Sequence, residues 1–385
     1  MPAIGAQPKG SGIRAGIVLM FVLASSVVCA DNERVFDTEL HQVRVTTVAA
    51  GLEHPWSVAF LPDGKFLITE RPGRLRIVDA KGNVSAPLQG LPKVAAVGQG
   101  GLLDVALAPD FAQSRRIYFS YAEPRDGGNG TSVARARLGP DGLSDLEVIF
   151  RQRPAVDSPG HFGSRLVFAR DGSLFVTLGE RQQKHFAVRA QDLETHFGKI
   201  VRLQPEGGAA PDNPFVLVPG AQPEIWSYGH RNVQGAALHP ETGELWITEH
   251  GPKGGDELNH VKPGANYGWP LVTYGIAYNG DKVGVGQQRV GIEPPVHHWV
   301  PSIATTGLTF YTGDRFPKWR GQLFAGGLYG MVVRLQLEGD KVVREERILT
   351  QLKQRIRDVR SGPDGLLYVL TDSPKGELLS VAPAQ

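Results

Sequence analysis

The sequence predicts an all-β fold: a six-bladed β-propeller with four-stranded antiparallel blades. Three observations lead there. Gly (48) and Pro (28) make up about a fifth of the 385 residues, yet 41% are hydrophobic and 21% charged, a globular composition rich in turns. One pattern, an apolar strand, a Pro-Asp-Gly-like turn and a second apolar strand, recurs six times. No convincing amphipathic helix interrupts it.

Taken in order, the chain begins with Lys9 and Arg14, an apolar run from Ile17 to Ala24, and small residues from Ser25 to Ala30. This is the pattern of a secretory signal peptide cleaved after Ala30, with Val28 and Ala30 at the −3 and −1 positions. The run falls short of the ~20 residues that span a bilayer. A lipoprotein cysteine at Cys29 is the alternative, although Val28 is large for such a site. Residues 1–30 are thus read as a leader, residues 31–385 as a single propeller catalytic domain, and the protein as periplasmic or secreted. Cleavage removes two cations and no acids, leaving 39 basic and 39 acidic residues. That balance argues against a nucleic-acid or anionic-membrane surface. It also removes Cys29, the sole cysteine, and with it disulfides, thiolate catalysis and zinc–thiolate sites.

The stretch from Val43 to Val48 is expected to complete the last blade and close the ring. The six hairpins turn at Pro62-Asp63-Gly64, Pro109-Asp110, Asp171-Gly172, Pro240 to Gly243, a degenerate Thr312-Gly313-Asp314, and Pro363-Asp364-Gly365. Pro presets φ at the second turn position, while Asp and Gly tolerate the later ones. The flanking runs favour β-branched and aromatic residues with partial alternation, as half-buried strands require. A sandwich of unrelated hairpins would not explain six copies of one turn.

If the first strand of each unit is innermost, the residues leading into it face the central channel. Those segments carry Gln99, His161, Arg231 with Asn232, and Arg355 with Arg357. Arg355 and Arg357, two apart on a strand, point to one face and present two guanidinium forks suited to a carboxylate or phosphate. Arg231 adds a third cation, and His161 titrates near neutral pH as a general base does. Taken singly each is weak, since a lone channel His is more often structural and a lone Arg more often pairs with a nearby acid. A second polar segment, Thr248 to His260 followed by Gly264 to Pro270, offers carboxylates and Gly-rich carbonyls suited to calcium. It has neither EF-hand spacing nor a His-Glu-x-x-His motif, and from spacing alone a polar surface loop stands equally beside metal binding.

At these residues the chain resembles the soluble quinoprotein sugar dehydrogenases of the glucose/sorbosone dehydrogenase family, most closely the shorter aldose sugar dehydrogenases. The resemblance runs from about Val43 to Leu379. It rests on Gly98-Gln-Gly-Gly-Leu-Leu-Asp-Val105, His161-Phe-Gly-Ser-Arg-Leu-Val167, Gln191-Asp-Leu193, His196-Phe-Gly-Lys-Ile200, Tyr228-Gly-His-Arg-Asn232, Glu249-His-Gly-Pro252, Gly255-Asp-Glu-Leu-Asn259, Asn266-Tyr-Gly-Trp-Pro270 and Arg355-Ile-Arg-Asp-Val359. The resemblance implies a propeller that holds pyrroloquinoline quinone (PQQ) and calcium and oxidises the C1 hydroxyl of aldoses to lactones. It assigns His161 as the base, Arg231 and Asn232 to charge stabilisation at the quinone oxygen, and Gln99, Tyr278, Arg355 and Arg357 to gripping PQQ. The carbonyls of Gly251 and Pro252 would hold a calcium that polarises the quinone; Glu257 and the Tyr267 carbonyl would hold a structural one. The electrons would leave to a quinone or a cytochrome, and the protein would be a monomer or homodimer.

Two departures stand out. Related enzymes often carry a PQQ-contacting Lys where this chain has Tyr329, and the glucose dehydrogenases can have an Asp where Gly160 precedes His161, with Asp157 close by. Two other readings of the propeller are a calcium-dependent lactonase, which needs carboxylate and Asn ligands in the channel, and a non-enzymatic binder of glycans or proteins.

Overall fold

Hydrogen bonds close the predicted turns. In a computed structural model, which describes residues 33–384, Gly64 N–H donates to Leu61 O (3.0 Å), Gly172 to Ala169 (3.0 Å) and Gly365 to Gly362 (3.1 Å). These glycines have φ of +79°, +85° and +80°, the left-handed region where a Cβ is disfavoured. The expected leader over 1–30 lies outside the described residues. Among the described residues no α-helix exceeds four residues, and none is long and apolar enough to cross a membrane.

The hairpins grow into six antiparallel sheets arranged as propeller blades. Blade 1 comprises Pro55–Phe60, Phe66–Glu70 and Arg74–Val78; blade 2, Leu102–Leu107, Arg116–Arg125, Gly128–Leu138 and Leu143–Arg151. Blade 3 contains Leu166–Phe168, Leu174–Thr177, Lys199–Leu203 and Ile225–Tyr228; blade 4, Val233–Leu238, Leu245–Glu249, Asp256–Val261 and His297–Trp299. Blade 5 contains Thr305–Phe310, Leu323–Gly327, Met331–Glu338 and Lys341–Ile348. Blade 6 joins Ile356–Ser361, Leu367–Thr371 and Gly376–Pro383 to Gln42–Leu52 and Glu33–Asp37 from the start of the chain. Four blades therefore have four strands; blade 1 keeps three, with a lone bridge from Val78 to Val84, and blade 6 has five. The expected closure holds: Val43 pairs with Pro383 and Val45 with Val381.

Two kinds of contact hold neighbouring blades together. A buried apolar cluster fills each junction; Phe316, Trp319, Phe324, Val359 and Leu367, for example, pack blade 5 against blade 6. Nearer the axis, buried hydroxyls donate to the next inner segment. Thr69 reaches Leu103 O (2.5 Å), Ser120 reaches Ser164 O (2.7 Å), Thr177 reaches Val233 O (3.3 Å), Thr248 reaches Thr306 O (3.3 Å) and Thr306 reaches Ile356 O (3.0 Å). The polar residues that open or end these hairpins thus pair with backbone that would otherwise be orphaned.

At the axis itself lies a buried ion cluster. Arg165, 1% exposed, pairs with Asp358 (3.1 Å) and Asp104 (3.4 Å), and Arg360 pairs with the same two acids at 2.9 and 3.0 Å. Arg165 also donates to Gln234 O (2.7 Å) and Arg357 O (3.2 Å) and lies 4.1 Å over the Trp56 ring. Two cations balance two anions, so the group tolerates burial only as a whole. Arg165→Ala is expected to leave two buried carboxylates short of charge and to cost about 3–5 kcal/mol of stability, read by denaturant unfolding. A loss below about 1 kcal/mol would show that the cluster does not brace the ring.

Candidate functional site

Beside the cluster lies a cavity of ≈ 240 Å³, three of whose lining residues, Trp56, Gln234 and Arg357, contact Arg165. Its polar wall comes from Arg71, Gln99, Asn232, Gln234, His250, Arg355, Arg357 and Asp372, and its apolar wall from Trp56, Leu103, Phe162 and Leu328. Of the residues expected at the channel mouth, Gln99, Asn232, Arg355 and Arg357 all line this space. His161 adjoins it, its backbone N–H donating to Gln99 Oε1 at 2.9 Å. The inner-strand reading therefore brings four lead-in segments together as expected.

His161 is 4% exposed, and its Nδ1 lies 2.5 Å from Glu180 Oε2, a partner the sequence reading missed. Burial holds the His161 pKa below the ordinary 6.5; the Glu180 charge and hydrogen bond oppose this, while Arg231 and Arg181 add to it. The ring is neutral at pH 7, with Glu180 orienting one nitrogen and Nε2 making no hydrogen bond to the described residues. The backbone here is strained: His161, Ser164, Arg181 and Gln182 have φ of +50°, +94°, +74° and +69°. Non-glycine residues persist in that region only where their surroundings force it. Arg181 supplies part of that force, stacking 3.7 Å from the Phe162 ring and donating to Ser158 O at 2.6 Å. The space beside Gly160 is taken: a Cβ there would lie 1.9 Å from Gln182 Oε1. Asp157 is exposed and does not line the cavity.

The arginine pair meets an acid. Arg357 Nη2 lies 2.5 Å and Arg355 Nη2 3.3 Å from Asp372 Oδ2, while Asp372 Oδ1 contacts His54 Nδ1 at 2.9 Å. The two guanidinium groups do converge, but on a carboxylate that the chain itself supplies. Those partners hold the Asp372 pKa far below the usual carboxylate range against the opposing effect of burial.

Blade 4 organises the other side. Glu249 accepts from His230 Nδ1 (2.9 Å) and from Arg231 N–H (2.6 Å). Arg231 then sends Nη1 to the carbonyls of Gly251 (2.7 Å) and His250 (3.2 Å), and its Nε is buried without a partner. Asn232 Oδ1 accepts from Gly163 N (3.2 Å) and Gln234 Nε2 (3.4 Å), which leaves its amide donors available. His250 Nε2 contacts Thr305 O at 2.6 Å, and burial pushes its pKa down to about 4, so it is neutral.

Gly251, Glu257 and Tyr267 share a small cleft with Arg231 and Glu249, and Pro252 is buried next in the chain. Asn259 Nδ2 bridges Glu249 and Glu257, 3.2 Å from each. Burial foremost, then the neighbouring Glu249 charge, pushes the Glu257 pKa well up. A cation beside Glu257 would relieve that penalty, so the donor chemistry there fits a hard metal ion. The Gly251 carbonyl, by contrast, already accepts from Arg231. Among the described residues no three His, Cys, Asp or Glu side chains gather in a metal-binding group. Tyr278 (76% exposed) and Tyr329 (67%) do not line the cavity, although Leu328, beside Tyr329, does.

Comparison with known proteins places the fold in a family. The family model Glucose / Sorbosone dehydrogenase matches residues 52–380. The aldose sugar dehydrogenase YliI of Escherichia coli is 51% identical over 348 residues, covering 89% of this chain and 93% of that protein. The quinoprotein glucose dehydrogenase B of Acinetobacter calcoaceticus is 28% identical, covering 85% and 84%. The PQQ-bound aldose sugar dehydrogenase of Streptomyces coelicolor superposes with a TM-score of 0.72 at 30% identity, covering 88% and 98%. A propeller with this axial site and a family match along nearly all of its described length belongs to the glucose/sorbosone dehydrogenase family.

Proposed function

We propose that this chain is an exported sugar dehydrogenase that oxidises aldoses at the C1 hydroxyl to lactones, dependent on PQQ and calcium. The single observation that carries the reading is the pairing of a neutral, carboxylate-oriented His161 with a cation-rich cavity on the propeller axis. The donor set fits PQQ: three arginines and three amides around ≈ 240 Å³ suit a flat group bearing several carboxylates. The comparisons support it, since relatives that match most of the chain are named as aldose sugar and quinoprotein glucose dehydrogenases.

When bound, the quinone would supply the two-electron acceptor for the hydride that leaves C1. His161 Nε2 receives the proton of the C1 hydroxyl. Glu180 keeps the opposite nitrogen protonated and balances the imidazolium that results. Arg231 and the free Asn232 amide supply positive potential where charge develops on the acceptor. Gln99, Arg355 and Arg357, which line the cavity, are assigned to cofactor binding; the exposed Tyr278 and Tyr329 are not. Calcium is assigned to the Gly251 and Pro252 carbonyls, and a structural calcium to Glu257 with the Tyr267 carbonyl. A lactonase would not need the arginine pair, and a binding propeller leaves the His161–Glu180 couple unexplained.

The reading is tested on the mature chain from Asp31, prepared without cofactor. Dye reduction by aldoses is expected only when both PQQ and calcium are added, and absence of PQQ binding in calcium would sink it. His161→Ala is expected to retain PQQ yet lose about 10²–10⁴-fold in turnover, with Glu180→Gln losing at least about tenfold. Because His161 must be neutral and its pKa is depressed, wild-type turnover should hold at pH 6.5 and fall only at lower pH. An acid limb centred above 6.5 would remove His161 as the base. Replacing Arg355 and Arg357 together by Ala should weaken PQQ by tenfold or more in a fluorescence titration; unchanged affinity would move the carboxylate grip elsewhere.

A further inference from the structure

The charges of the cavity do not cancel. Asp372 engages both Arg355 and Arg357, and no carboxylate lies within ion-pair distance of Arg71 among the described residues. Arg71 sits just past the second strand of blade 1, where its backbone is pinned: its N–H donates to His54 O (3.0 Å) and its O accepts from Leu102 N (3.1 Å). Its side chain bonds only Gly98 O, through Nη1, and Nε is buried with no partner.

The Gly98-Gln-Gly-Gly101 turn is shaped around this residue. Gly101 has φ +152°, and a Cβ there would stand 2.1 Å from the Arg71 carbonyl and 2.5 Å from its Cγ. The glycine therefore admits Arg71 against the same turn whose Gln99 accepts the His161 backbone N–H. A guanidinium held on the cavity wall, with a buried unpaired N–H, calls for an anion that the described chain does not provide.

We infer that Arg71 binds a carboxylate of a ligand in this cavity, as a third anion-binding residue beside Arg355 and Arg357. The inference rests on the quinone reading above. The carboxylate has two possible sources: the cofactor, or the acid group of an anionic sugar such as a hexuronate. Arg71→Met keeps the stem and removes the charge, while Arg71→Lys keeps the charge, and thermal melts establish that both fold.

Two measurements separate the sources: fluorescence titration of the cofactor-free protein with PQQ, and KM for glucuronate against glucose in the PQQ-loaded enzyme. A tenfold to hundredfold weaker PQQ affinity in Arg71→Met, largely restored in Arg71→Lys, assigns Arg71 to the cofactor. Unchanged PQQ affinity with a KM raised at least tenfold for glucuronate alone assigns it to the substrate. If Arg71→Met matches wild type in both, or if Lys fails as badly as Met towards PQQ and both sugars, the inference is overturned. A wild-type protein that binds no PQQ would instead sink the quinone reading, and this inference with it.

Discussion

The ion cluster of Arg165, Arg360, Asp104 and Asp358 is the constraint on which the rest of the molecule depends. A propeller packs apolar surface between blades, but its inner strands converge on an axis where backbone and polar side chains crowd together. Here blade 3 contributes Arg165, blade 2 Asp104, and blade 6 both Asp358 and Arg360. Blade 1 joins through Ser57, whose hydroxyl donates to Asp104 at 2.5 Å, and blade 4 through the Gln234 carbonyl. Blade 5 takes part by omission: a Cβ on Gly307 would lie 2.1 Å from Asp358 Oδ1. Arg165, Asp104 and Asp358 are almost fully buried, so removing any one strands its partners. The ring is thus locked at its centre by mutual dependence.

That lock also sets the site above it. Arg165 stacks on Trp56 and holds the carbonyls of Gln234 and Arg357, and all three of these residues line the cavity. Arg357 in turn reaches Gln234 Oε1 at 3.4 Å. Part of the cavity wall is therefore placed by the same contacts that close the propeller, which is how a site built from several blades can keep its geometry. The strain around His161 belongs to the same economy of design: buried hydrogen bonds and the Arg181 stack hold a backbone that would otherwise relax.

Much of the fold is legible because a hairpin with a turn resembling Pro-Asp-Gly is a local signal repeated six times. The strand count was less legible. In blade 1 the outer strand shrinks to a bridge at Val84, since the segment from 85 to 98 runs towards Gln99 with little pairing. Blade 6 gains Glu33–Asp37 through a short local hairpin whose alternation is hidden by the exposed residues Glu33, Val35 and Asp37. In the site, Gln99, Asn232, Arg355 and Arg357 could be located because they precede or open inner strands. Glu180 could not be located that way. It follows a second strand and meets a histidine 19 residues earlier in the chain, a separation without periodicity.

A signal for Glu180 does exist, and it lies in the repeat rather than in any single blade. Second strands end in Thr followed by an acid in blades 1, 4 and 6, at Thr69-Glu70, Thr248-Glu249 and Thr371-Asp372, and blade 3 spaces Thr177 from Glu180. Each acid accepts from the segment leading into its own blade's inner strand. Glu70 takes Glu53 N–H, Glu180 takes His161, Glu249 takes His230 and Arg231 N–H, and Asp372 takes Arg355 and Arg357. The pattern has a physical cause. The first and second strands of a hairpin are adjacent, so an acid leaving one lies beside the residues approaching the other, and a carboxylate satisfies several donors at once. Three of these acids hold histidines or arginines at or beside the site. Glu70 differs, because Arg74 and Arg76 approach it at 2.6 and 3.1 Å from the third strand. Its charge is directed outward along blade 1, and Arg71, the next residue, is left at the cavity wall without an acid of its own.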